Sequence, residues 1–144
     1  MSDKPELTVS VVTPDGEVYE KQTSLAICKT TEGELGIMPN HTPVLASLAI
    51  DEVRVKTGED QYDEIAIGGG FLEFSNNILS IVASAAERKE SIDTSRAERA
   101  RDRAQERIEK AQNEHDAKEL KRAEISLKRA LNRIKVSGQS TTID

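Results

Sequence analysis

The chain has 144 residues and a formal net charge of −6, a length that suits one domain or a small domain with an appendage. Aromatic residues make up only 3% of it, so any core must be built from Val, Ile, Leu and Ala. No apolar run approaches the roughly 18 residues of a membrane span. The start, MSDKPELTV, has neither an apolar signal region nor a transit-peptide composition, so the protein is expected to stay in the compartment where it is made.

The front of the chain reads as strands. In LTVSVVT (7–13), Leu7, Val9 and Val11 alternate with Thr8 and Ser10, and PDG at 14–16 is a turn tripeptide. Further strands are expected at 17–20, 23–30, 35–38, 44–50, 52–57, 62–67, 71–75 and 78–85. They are short and separated by TEGE, PNHTP, TGED, GGG and SNN, which predicts an all-β sandwich or barrel over residues 1–86. Cys28, the single cysteine, cannot form an internal disulfide and reads as a small buried side chain. In TEGELGIMPNHTPV two glycines flank Glu34, and Pro39 and Pro43 fix the chain on either side of His41. Such a loop is a structural corner or a docking surface, and taken alone the corner is the better reading. GGG at 68–70 lacks the following helix that a phosphate-binding loop requires, so a bulge or tight sheet corner is expected.

The back of the chain changes both charge and period. Residues 1–86 hold 5 lysines and arginines against 14 acids, whereas residues 87–144 hold 15 against 12. An acidic front and a basic back point to two parts with different partners. Asp93 can cap a helix, with Ile92 as its apolar staple and Ser95–Glu98 as an alternative pair. Apolar residues then fall at Ala97, Ala100, Ala104, Ile108 and Ala111, and again at Leu120, Ala123, Leu127, Ala130 or Leu131, and Ile134. This predicts an antiparallel two-helix hairpin over 87–136 that turns near Glu114 or His115, followed by a frayed tail at 137–144. The first stripe is nearly all alanine and buries little area, so the seam is expected to be weak. Arg96, Arg99 and Arg103 form one arginine stripe, and Arg122, Arg129 and Arg133 another. Folding the hairpin at its midpoint sets Arg96 level with Arg133 and Arg99 level with Arg129. Four guanidinium groups near the open end would suit a polyphosphate; the plainer reading is a solvated face neutralised by nearby acids. His41 and His115 lie far apart, no Cys/His cluster has metal spacing, and no nucleophile, base and oxyanion set is visible, so an enzyme is not expected.

Four stretches resemble the epsilon subunits of bacterial F-type ATP synthases: EGELGIMPNHTP (32–43), IGGGFLEF (67–74) with NNILSIVASAAER after it, IDTSRA (92–97) and KRAEISLKRALNRI (121–134). The resemblance implies an α+β chain, with an N-terminal sandwich of about ten strands and a C-terminal helical hairpin. It also implies a non-catalytic place in the rotor stalk, peripheral to the cytoplasmic face of the cell membrane. There the sandwich binds the gamma subunit and the ring of c subunits, with Glu34 and His41 at that interface. The resemblance further implies a hairpin that either folds onto the sandwich or extends along gamma into the alpha/beta catalytic head, where it inhibits ATP hydrolysis. No cofactor is required, but some members bind ATP as a regulatory ligand. Their Ile/Leu-Asp-x-x-Arg-Ala motif stands here as Ile92, Asp93, Arg96 and Ala97, and Glu87, Arg103, Arg129 and Arg133 match further ligand positions. The alternative is a free-standing sandwich whose basic hairpin binds nucleic acid, against which the hairpin's many acids argue.

Overall fold

The computed structural model describes residues 4–138. The chain divides into two compact units, Met1–Lys89 and Glu90–Asp144, a division three residues beyond the one expected from composition. Of the expected tail, residues 139–144 lie outside the described residues. Among the described residues no helix is long and apolar enough to cross a membrane.

The first unit is built from β1 (Leu7–Thr13), β2 (Gly16–Thr23), β3 (Ala26–Thr30), β4 (Gly33–Ile37), β5 (Val44–Gly58), β6 (Gln61–Ser75), β7 (Ile78–Ala83) and β8 (Ala86–Arg88). They pair in the order β2-β1-β7-β6-β5-β3-β4, with β8 also on β6. Only β1–β7 is parallel. Among the described residues there are eight strands where about ten were expected: two expected breaks are bends within strands, and the expected 78–85 strand ends at Ala83 with β8 following it. Segments 44–50 and 52–57 run on as β5, and 62–67 and 71–75 as β6, each 15 residues long.

The bends let one sheet close around one core. Ile65 and Ile67 are buried before the glycines of β6, and Leu72 and Phe74 after them. The inward positions therefore change from odd to even across Gly68–Gly70. In β5 they change from Leu48 to Val53 and Val55. Without such a change, one half of each strand would point its aliphatic residues at solvent. All of these side chains join one cluster with Leu7, Val9, Val11, Leu79 and Ile81.

The glycine corner is sterically specific. Gly69 and Gly70 have φ values of 99° and 141°. A Cβ at Gly70 would collide with the Val82 carbonyl oxygen and come within 2.8 Å of the Ala83 Cα. Around the corner, the Gly68 N–H donates to the Ala85 carbonyl at 2.8 Å, and the Ser84 N–H to the Gly69 carbonyl at 3.0 Å. Elsewhere in this unit Cys28 is fully buried, and that burial pushes its thiol up to about 12, so it holds its proton throughout the physiological range.

The second unit begins near a single 3₁₀ turn, Lys89–Ser91, and consists of α1 (Thr94–Asn113) and α2 (Ala117–Val136). Asp93 caps α1 by accepting the Arg96 N–H at 3.0 Å, and Asp116 caps α2 by accepting the Glu119 N–H at 3.1 Å. Only Glu114–Asp116 separates the helices. His115 supplies the left-handed residue of the turn, with φ 54°, and the Asp116 N–H returns to the Ala111 carbonyl at 2.9 Å.

Replacing Gly70 with Ala should cost about 2–4 kcal/mol in urea denaturation, because backbone must move to admit the methyl. Gly16, with φ 121° and nothing within 4 Å of its notional Cβ, is the control. There Ala should cost only about 1–2 kcal/mol, from backbone strain alone.

Candidate functional site

The hairpin is held by an alanine seam. Ala97, Ala104 and Ala111 on α1 are buried at intervals of seven, as are Ala123 and Ala130 on α2. A seven-residue repeat keeps one face of each helix toward its partner, and alanine lets the backbones approach closely. Five buried methyl groups at about 0.8 kcal/mol each contribute roughly 4 kcal/mol before ordering costs, and α2 also buries Ile134 and Val136 near its C-terminus. Arg107 adds a clasp across the hairpin. Its guanidinium meets Glu119 Oε1 at 2.7 Å through Nη2, and donates to Ser126 Oγ at 3.3 Å through Nη1. Both charged side chains are more than a third exposed, so this pair is worth less than about 1 kcal/mol.

Beside the seam lies a groove of about 290 Å³, lined by Ala100, Arg103, Ala104, Arg107, Ser126, Arg129, Ala130 and Arg133. Three alanines, one serine and four arginines thus line it. Each helix contributes two arginines spaced by four, which puts both on one face. No carboxylate is among the lining residues. Guanidinium groups gathered in this way repel one another and present an array of donors suited to phosphate oxygens.

Arg129 and Arg133 thus come together with Arg103, but Arg96 and Arg99 do not line the groove. Arg99 instead donates to Ser95 Oγ at 2.7 Å. The levels expected from the hairpin midpoint placed the convergence about one turn too near the open end. Arg107 takes the vacant role. Its signal was present, four residues after Arg103, but it is masked by the acids around it. Asp93 and Arg96 are joined through the helix cap, Ile92 is half-buried, and Ala97 begins the seam. Glu87 belongs to the first unit, on β8 opposite Ala66 of β6.

The acidic turn has a different construction. Glu34 stands opposite Lys29 across the β3–β4 pair, and its Oε1 accepts from Lys29 Nζ at 2.5 Å. This hydrogen bond to Glu34 raises the Lys29 ammonium above its ordinary value. Thr30 Oγ1 closes the turn by donating to the Gly33 carbonyl at 2.6 Å. His41 lies past the other end of β4, packed edge-on to Phe74 with ring centroids 6.0 Å apart. Its Nδ1 lies 2.7 Å from the Thr42 carbonyl. Glu34 and His41 therefore occupy opposite ends of one short strand. Further along the sheet, Val12, Val82 and Phe71 stand side by side on β1, β7 and β6. They form an apolar row in which Phe71 is 47% exposed, and Leu45, opposite Glu73, and Ile78, opposite Ser75, are further exposed apolar residues of the sheet.

Both units match known families. Residues 6–89 match the model for the ATP synthase delta/epsilon chain, beta-sandwich domain, and residues 90–138 the model for its long alpha-helix domain. The chain belongs to the ATP synthase delta/epsilon family. The ATP synthase epsilon chain of Ligilactobacillus salivarius is 66% identical to it over 137 residues, covering 95% of this chain and 99% of the relative. That of Pediococcus pentosaceus is 56% identical over 138 residues, covering 95% and 99%. In fold the chain is similar to one in the Euglena gracilis mitochondrial ATP synthase (OSCP/F1/c-ring), with a TM-score of 0.72 and 20% identity, covering 90% of this chain and 80% of that one. The delta/epsilon architecture is thus present over both units, and the sandwich expected from strand spacing is the family's own.

The seam's narrowness makes a prediction. Ala104→Leu should overpack it at a cost of about 1–3 kcal/mol, comparable with its whole worth. Amide hydrogen exchange should then show lost protection across α1 and α2 with β1–β8 unchanged. Unaltered protection in the helices would mean that something other than the alanine seam holds them together.

Proposed function

We propose that this chain is the non-catalytic central-stalk subunit of a proton-translocating F-type ATP synthase, and that its hairpin restrains ATP hydrolysis under the control of ATP. The observation that carries the first part is the nearly end-to-end correspondence with bacterial epsilon chains across both units. In this reading the sandwich joins the gamma subunit to the c-ring, at the cytoplasmic face of the cell membrane and peripheral to it. The apolar row Val12–Val82–Phe71, with Leu45 and Ile78, offers gamma a surface that water otherwise covers. Glu34 and His41, at the two ends of β4, present polar groups to the loops of the ring. The hairpin, when its helices part, reaches the alpha/beta catalytic head.

ATP sensing rests on the arginine groove. Arg103, Arg129 and Arg133 serve the phosphates, and Asp93 orders Arg96 at the head of α1. The groove exists only while α1 and α2 lie together, so a polyphosphate bound there opposes their separation. At one hundred times its dissociation constant, such a ligand stabilises the closed hairpin by about 2.7 kcal/mol. That is of the same order as the seam, and therefore enough to move the population.

Two experiments test these parts separately. A chain ending at Lys89, returned to a synthase stripped of this subunit, should restore gamma binding and proton coupling while leaving hydrolysis uninhibited. A truncated sandwich that folds but cannot bind gamma would overturn the stalk reading. In calorimetry with ATP, Arg129→Ala and Arg133→Ala should each weaken binding about tenfold or more, the worth of a charge-assisted hydrogen bond. Lys4→Ala should leave it unchanged. Absence of binding at millimolar ATP, or equal binding by the arginine variants, would leave the groove without a nucleotide.

A further inference from the structure

The loop that carries His41 is fastened from outside itself. Between β4 and β5 the chain turns at Pro39–Asn40, with Asn40 in the left-handed region at φ 67°, and the His41 N–H returns to the Met38 carbonyl at 3.1 Å. The β6–β7 turn is made by Asn76 and Asn77, also left-handed, at φ 52° and 59°. These two turns are 37 residues apart in sequence and are joined by a reciprocal pair of bonds. The Asn40 N–H donates to Asn77 Oδ1 at 2.6 Å, and Asn77 Nδ2 donates to Asn40 Oδ1 at 3.1 Å. The backbone of Asn77 is itself anchored, since its carbonyl accepts the Thr8 N–H at 2.9 Å. His41 then rests edge-on against Phe74, three residues before Asn77 on the same hairpin.

We infer that Asn77 is the positioning residue of the docking loop: its carboxamide brackets the 38–43 turn to the β6–β7 hairpin and so sets where His41 meets the c-ring. The inference rests on the docking role proposed for His41. Its physical basis is that a short turn has little apolar contact of its own, and Met38 at its start is 61% exposed. With few apolar contacts to order it, such a segment depends on its hydrogen bonds. Asn77 supplies both bonds from a turn that the sheet already holds rigid. The left-handed backbone at 76 and 77 is what aims the carboxamide at Asn40, and asparagine is among the few side-chain-bearing residues that adopt it readily.

The test uses the whole synthase, reconstituted with variant chains and assayed for ATP-driven proton pumping per ATP hydrolysed. Asn77→Gly keeps the turn's backbone and removes both bonds. It should lower that coupling ratio and speed amide exchange in residues 38–43 about tenfold, with gamma binding and exchange in β1 and β7 unchanged. Asn77→Asp should restore coupling, because a carboxylate still accepts from the Asn40 N–H and the Asn40 carboxamide can turn to donate to its second oxygen. Asn40→Gly, which removes only one bond, should have the smaller effect, and the double variant should be no worse than Asn77→Gly alone. Should the Asn77→Gly sheet itself loosen, the Asn40→Gly variant carries the test, since it leaves the β6–β7 turn untouched. Normal coupling with a loosened loop would overturn the docking role of His41. Normal exchange in residues 38–43 would overturn the bracket.

Discussion

A β-strand shows its side chains to alternate faces, so a strand shared between two layers of a sandwich must change parity where it bends. Everything in the first unit depends on how this chain meets that constraint. In β6 the change is made at Gly68–Gly70, where backbone of β7 comes too close for any Cβ at residue 70. In β5 it falls between Leu48 and Val53. Because both bends preserve pairing, β5 and β6 run through the unit as a continuous scaffold on which β3, β7 and β8 are hung, with β1 joined through β7. A core with few aromatic residues becomes workable, since aliphatic side chains from both layers interdigitate in a single cluster.

The second unit is built on the opposite principle. Its seam is made of the smallest apolar side chain at seven-residue intervals, and its charged clasp is half in water. The two units thus differ in kind. One derives stability from many long-range strand pairings, the other from alanine methyl groups between two good helix formers, with Ile134 and Val136 buried near the end of α2. Each helix has strong intrinsic propensity and its own N-cap, so α1 and α2 can remain helical after they separate. Helices that keep their shape when their contact is released are what the proposed opening requires.

Much of this could be read from the residues. Alternation in β1, the turn at Pro14–Gly16, the cap at Asp93 and the glycine corner all follow from local rules that tertiary structure did not override. The strand count did not, because a parity change looks like a break when the sequence is read in one dimension. The arginines show the same difficulty. Distance from a hairpin's midpoint fixes the level of a residue, but a helix advances about 100° per residue, so its face must be fixed separately. Arg96 and Arg99 had suitable levels and lie outside the groove, while Arg107 was passed over among its acidic neighbours. The Asn40–Asn77 bracket had no one-dimensional signal, since it joins two turns 37 residues apart.

The charge of the groove completes the contrast between the units. At separations of a few ångströms, like charges near a protein surface repel by about 1–4 kcal/mol per pair, depending on the local dielectric. The four arginines on facing helices set part of such a repulsion against the seam. The remaining acids of α1 and α2 offset part of it, and Glu119 draws Arg107 aside directly. In the proposed reading, a bound polyphosphate converts the repulsion into attraction between the helices. Larger apolar residues in place of the seam alanines would hold the helices together whatever the groove contained. In the proposed reading, a seam of small side chains beside an arginine-lined groove makes closure depend on a compact anion with several negative oxygens.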